Sequence, residues 1–215
     1  LTGVEGAISR MGKAAVKASA AFFGARALIS GMQKSIVLAG QFEKVERGFN
    51  NLAKSSGFTS QSLSKLQTAT DKTMSSMQLM QQANNAMLLG IVDTEDQMAE
   101  LFDVSQRLAA SLGQDTAFGI ESMVTGLGRQ SKLMLDNLGI MVDVDTANKE
   151  YAKSLGITAS RLTDQQRKQA FVNAAMSSAR NLVSQLGTET LTASDHINQM
   201  KAALEEVSIA FGKNF

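Results

Sequence analysis

The chain has 215 residues, a formal net charge of +1, no proline, no cysteine and no tryptophan, but 17 glycines and 12 methionines. A chain of this length has enough apolar material for one large core or two small ones. Without cysteine there is no disulfide framework and no thiolate metal site, and the near-neutral charge exerts no overall pull toward nucleic acid.

The absence of proline points to helices, because proline removes a backbone donor and clashes with the preceding turn. Good helix formers (Ala, Leu, Gln, Met, Lys) fill the sequence instead. The expectation is an all-α fold: a long N-terminal helix over residues 1–56, extended or coiled-coil-like, followed by a helical domain over 57–215. That domain is a series of shorter helices packed as a bundle or irregular array. Charge is unevenly spread. Residues 1–54 carry eight Lys/Arg and three Glu, residues 93–121 seven acids against Arg107, and residues 129–180 eight bases and five acids. Such alternation suits ordinary solvated faces, or helices docking on each other or on neighbouring copies.

In chain order, the first block runs from about Val4 to Lys54. Its apolar positions (Ile8, Met11, Ala15, Ala18, Phe22, Ala25, Ile29, Met32, Ile36, Ala39) are spaced three or four apart. An unbroken helix of about 50 residues would span about 75 Å, with Gly24, Gly31 and Gly40 as weak points. Its least charged stretch, Ala18–Ala25, ends at Arg26, well short of the ~20 residues needed to cross a membrane. The chain begins at Leu1 with no targeting signal and is read as a piece of something longer.

Ser55-Ser56-Gly57 ends the first block, and Thr59 or Ser60 caps a second helix reaching about Leu89. Thr94-Glu95-Asp96-Gln97 is a capping box ahead of a helix to Leu112, and Thr163-Asp164-Gln165-Gln166 repeats it. The last helix opens near Thr192 or Ser194 and is expected to turn Ile197, Met200, Leu204, Val207 and Phe211 inward. Helix ends share one sequence device, Leu-Gly, at Leu89, Leu112, Leu138, Leu155 and Leu186. Glycine supplies the left-handed residue of a Schellman motif. No strand is expected, since Met141–Val144 would have no partner.

Chemistry is hard to find, and no catalytic, cofactor-binding or metal-ligating residue is assigned. His196 is the single histidine, which rules out a zinc set. It reads as a surface or capping residue, because nothing resembling a nucleophile elbow accompanies it. Asp143-Val-Asp145 opens like a calcium loop but has Ala147, Asn148 and Ser154 where ligands and glycine belong. It reads as an acidic turn at a helix N-terminus. Gly126-Leu-Gly128-Arg-Gln130 lacks the features of a phosphate loop and reads as a break between short helices. Glu95-Asp96 and Glu205-Glu206 are adjacent on helices and face different ways. Met74, Met77, Met80 and Met87 share a helical stripe that reads as core packing more readily than as an adaptable binding groove.

One run of sequence carries a family likeness. Gln130-Ser-Lys-Leu-Met-Leu-Asp-Asn-Leu-Gly-Ile140, Val142-Asp-Val-Asp-Thr-Ala-Asn-Lys-Glu-Tyr151-Ala-Lys-Ser-Leu-Gly156, Leu162-Thr163 and Gln169-Ala-Phe-Val-Asn173 together resemble tail tape-measure proteins of long-tailed phages and prophages. The Leu89–Leu112 region and the Ala203–Gly212 ending look similar too. The likeness covers about half the chain. It implies a mostly helical structural protein that lies in the tail tube lumen, sets tail length during assembly and leaves ahead of the DNA. That places it in the virion tail, and in the host cytoplasm during assembly. The partners implied are the tail tube protein, tail assembly chaperones, tail-tip or baseplate proteins, further copies of itself and, transiently, the host membrane. No cofactor, no enzymatic activity and no sequence-specific nucleic-acid binding is expected. The competing reading is a helical scaffold, adaptor or secreted effector acting through protein–protein contacts, which predicts a sustained heptad that the glycines interrupt.

Overall fold

The computed structural model describes residues 30–56, 58–59, 61–187 and 191–214. Among them the fold is all-α, with no strand: a long N-terminal helix followed by shorter packed helices. In order these are α1 (30–55), α2 (Ser62–Ala69), α3 (Ser76–Leu88), α4 (Glu95–Ser111), α5 (Thr116–Gly128), α6 (Lys132–Asp136), α7 (Val144–Ser154), a 3-10 turn (Ala159–Arg161), α8 (Asp164–Leu186) and α9 (Ala193–Gly212). No helix among the described residues is long and apolar enough to cross a membrane. The chain divides into two compact units, Leu1–Glu43 with Val207–Phe215, and Lys44–Glu206, a partition different from the 1–56 and 57–215 division expected from the sequence.

In the first unit, Ala39 and Phe42 of α1 and Ile209 of α9 are buried. Gly212 lies so close to the Ser35 carbonyl and the Ala39 methyl that a side chain there would collide with both. The missing Cβ is what lets the two helices approach. The Lys213 ammonium sits 4.1 Å from the centroid of the Phe42 ring, a cation–π contact. The helix continues through Gly31 and Gly40. Met32 and Ile36, expected on the buried face, are exposed. The apolar positions from Ile8 to Ile29 lie outside the described residues.

The second unit is centred on α4, which packs against α2, α5 and α8. Met98, Leu101, Phe102, Leu108 and Ala109 form its buried face. α5 contributes Ile120, Met123 and Leu127 and also touches α3 and α6, while α7 lies on α8. Phe102 and Phe171 are the largest fully buried side chains. Small residues set the helix spacings. A Cβ on Gly119 would meet the Ser105 carbonyl at 2.5 Å and the Ala109 methyl at 2.6 Å, and one on Gly126 would strike Leu135 at 2.6 Å.

Helix ends follow the chemistry of their caps. Thr163 and Gln166 form the expected reciprocal capping box. At α4, Thr94 Oγ1 accepts from the Gln97 amide, but Gln97 Oε1 accepts from the Asp93 amide, one residue earlier than the motif requires. Schellman bonds close α3, α4, α6 and α7: the amides of Ile91, Gln114, Ile140 and Ile157 donate to the carbonyls of Ala86, Ala109, Leu135 and Ala152. The glycines between have φ of 58°, 70°, 72° and 69°. Leu186-Gly187 departs from this device, because Gly187 has φ 76° with ψ −158°.

The single helix expected from about Ser60 to Leu89 is two helices. Between them Asp71 and Lys72 both take left-handed φ values, 47° and 58°, and Ser75 with Gln78 forms a further capping box that restarts the chain as α3. The Ser-x-x-Gln spelling of that box was present in the sequence. It was hidden by the continuous run of helix formers around it.

Candidate interaction surfaces

Among the described residues no group of three or more His, Cys, Asp or Glu side chains comes together. His196 is exposed, its Nδ1 3.1 Å from Gln199 Oε1. The neighbouring Asp195 carboxylate accepts from the amide and hydroxyl of Thr192 at the start of α9. Asp143 is the N-cap of α7, accepting from the amides of Asp145 and Thr146 and from the Thr146 hydroxyl. These bonds hold its carboxyl below the usual range, the Thr146 hydroxyl first among them. The Gly126–Gly128 segment ends α5 and packs on Leu135 and Leu89. Of the four methionines read as one core stripe, Met74 and Met80 are buried and Met77 and Met87 are half-buried.

The acid pairs serve as ties between helices. Glu95 Oε1 accepts from the Ser62 hydroxyl and from the Thr59 hydroxyl and amide, and its Oε2 from the Lys65 ammonium at 3.1 Å. Lys65 also reaches Asp96 at 2.9 Å. The Ser62 hydroxyl is the main cause that holds the Glu95 carboxyl down to about 2. α2 and α4 are thus fastened at their N-terminal ends. Farther along, Arg180 of α8 makes a two-pronged bond to Glu100 of α4, at 2.5 and 2.8 Å, which keeps Glu100 below its ordinary range. One acidic-to-basic contact expected from the charge alternation is therefore made inside the chain. Asp103 moves the other way: burial pushes its carboxyl up, against the favourable charge of Arg107.

The second unit exposes large apolar side chains at several points, Leu88 and Leu112 among them, and in two places they share one groove or one helix face. Leu133 and Met141 are 77% and 81% exposed, on a groove of about 740 Å3 also lined by Lys132, Asp136, Ile140, Val142 and Asp143. Ile140 and Val142 are buried beneath them. The Schellman turn at Gly139 explains the arrangement: it folds Ile140 back on the last turn of α6 and so turns the next residue, Met141, outward. The other place is α9, where Ile197, Met200 and Leu204 are 49%, 58% and 59% exposed. The sequence reading put these three inward together with Val207 and Phe211, which are exposed as well. Ala202 faces the body in their stead.

These features describe an all-α protein whose polar side chains tie helices together and whose exposed apolar side chains are available for contacts. No protein-family model matches the sequence, and no solved structure matches the chain.

Proposed function

We propose that this chain is a segment of a tail tape-measure protein of a long-tailed phage or prophage, a non-enzymatic structural element that helps set tail length and is released during genome ejection. The observation that carries the reading is the sequence likeness across residues 130–173. Its landmarks are helix stops and core positions: Leu138-Gly139-Ile140 and Leu155-Gly156-Ile157 close α6 and α7, and Phe171 and Val172 are buried in α8. A protein that converts chain length into distance benefits from helices, whose rise is fixed at about 1.5 Å per residue. One that must pass through a narrow tube benefits from the absence of disulfides. Tail tube protein, tail assembly chaperones, tail-tip or baseplate proteins and further copies are the partners of this reading.

An in-frame deletion of the α7–α8 coding region in the phage tests it by electron microscopy of tails. Shortened or unassembled tails are expected, and infectious particles with tails of normal length would exclude the role. The second reading, a helical scaffold or adaptor, draws on the exposed Leu133 and Met141. Mass spectrometry of purified tails separates the two, since a scaffold unrelated to tails would be missing from them.

A further inference from the structure

Residues 193–206 of α9 are docked in an unusual way. A helix on a globular surface normally buries its apolar stripe and shows water its polar face. Here Ile197, Met200 and Leu204 are exposed, and Ala202 is the only buried hydrophobic residue of the segment. Toward the body the segment presents amide and carboxylate groups. Gln199 Nε2 donates to the Asp71 carbonyl at 2.7 Å, Glu205 Oε1 accepts from the Ser75 hydroxyl at 2.9 Å, and Glu206 Oε1 accepts from the Ser76 amide at 2.6 Å. The two carboxylates sit at the positive end of α3, where charge and helix dipole attract.

The seam is also incompletely filled. Asn198, Lys201, Ala202 and Glu205 line one side of a cavity of about 220 Å3, and residues of the α2–α3 turn, α3 and α5 line the other. Of the hydrophobic side chains of 193–206, Ala202 alone is buried among the described residues, so this segment sets little apolar surface into the close packing that binds a helix to a core. The body, moreover, loses mainly polar partners when the segment leaves, the Ser76 amide and the Ser75 hydroxyl among them, and water can replace these. Ser75 and Gln78 cap α3 reciprocally without help from α9, and Thr73 and Thr116 hydrogen-bond to each other at 2.8 Å beneath it. The Asp71 carbonyl, released from Gln199, belongs to an exposed turn that water reaches.

We propose that residues 193–206 are a strap that lifts from the helical body as a unit while α4, α5 and α8 remain folded. The proposal goes beyond the tail reading and does not depend on it. A segment whose described ties to the body are polar, with Ile197 and Met200 already outward, is the part of the second unit most ready to meet another surface. Local opening of this kind occupies the low-stability end of a protein's range of motions.

Amide hydrogen exchange on the full chain tests it, comparing wild type with Gln199→Ala, Glu206→Gln and, as a control on the outward side, Met200→Ser. In the wild type, amides of 193–206 are expected to exchange at least a hundredfold faster than those of α4 and α5. Gln199→Ala and Glu206→Gln should each accelerate 193–206 by about tenfold and leave α4 and α5 unchanged, and Met200→Ser should change neither. Exchange of 193–206 at the rate of α4 in the wild type would overturn the proposal. So would variants that accelerate both segments, or neither. Protection of 193–206 that rises with protein concentration would overturn it too, by showing that a second copy covers the outward face.

Discussion

Gln130 occupies the left-handed region with φ 52°, at a helix end built like the four Schellman ends that carry glycine. The Ser131 amide reaches back to the Gly126 carbonyl at 2.8 Å, the same six-residue closure. A side chain in this conformation costs stability where glycine does not. Gln130→Gly is therefore expected to stabilise the fold by about 0.5–1 kcal/mol, and Gly139→Ala to destabilise it by about 1 kcal/mol. Urea unfolding measures both. No atom lies within 4 Å of a Cβ placed on Gly139, so a larger loss would point to something other than backbone strain. Glu95 belongs to the same scale. Its folded carboxyl is held at about 2 against an ordinary 4.5, so its contribution is fully present above about pH 4.5 and is lost as pH falls toward 2. Glu95→Gln should lower the Tm at pH 6 and converge with wild type near pH 2. A constant difference across that range would show that the Ser62 and Thr59 bonds act independently of the charge. The left-handed Gln130 was not legible in the sequence because the glycine that marks the other ends is missing there, nor was the Glu95 tie, which depends on which helices meet.

At the scale of elements, glycine has two opposite meanings in this chain. Gly40 is exposed within α1, with nothing within 4 Å of an added Cβ. Gly119 faces the Ser105 backbone and Ala109 at the α4–α5 crossing. Gly40→Ala should stabilise by about 0.5–1 kcal/mol through helix propensity. Gly119→Ala should destabilise by about 1–3 kcal/mol through overpacking. Thermal or urea unfolding of the two variants distinguishes them by sign. Both residues look alike in sequence, as isolated glycines in helical patterns. Some caps were easier to read: Thr163 starts α8 as expected, and the structure selects Thr192 over Ser194 and Asp143 over Asp145, whereas α2 starts at Gln61 with no side-chain cap where Thr59 or Ser60 was expected. A cap acts within four residues, so the local sequence contains all its parts. The turn between α2 and α3 escaped for the opposite reason. Asp71 is held in its conformation beside Gln106 of α4, whose Nε2 donates to the Asp71 carboxylate at 2.5 Å, a contact 35 residues away.

On the scale of the whole molecule, the candidate surfaces were the least legible part. Periodicity of three and four identified α9 as amphipathic but left its inward face open, because Ala202 and the larger Ile197, Met200 and Leu204 are all apolar. Size favoured the second set, and the structure places them outward. The reason lies in α3, whose N-terminal Ser75 and Ser76 donors meet Glu205 and Glu206. The proposed tail role also belongs to this scale, since length is a property of assembled helices and no side chain reports it. The all-α class, four of the five Leu-Gly stops and the caps at Thr94 and Thr163 were settled by the sequence alone, because helix propensity, proline exclusion and capping are local interactions. Which faces are buried, where two helices cross on a bare glycine and which apolar residues remain outward were decided only by tertiary structure. Those outcomes depend on groups far apart in the chain competing for the same small volume.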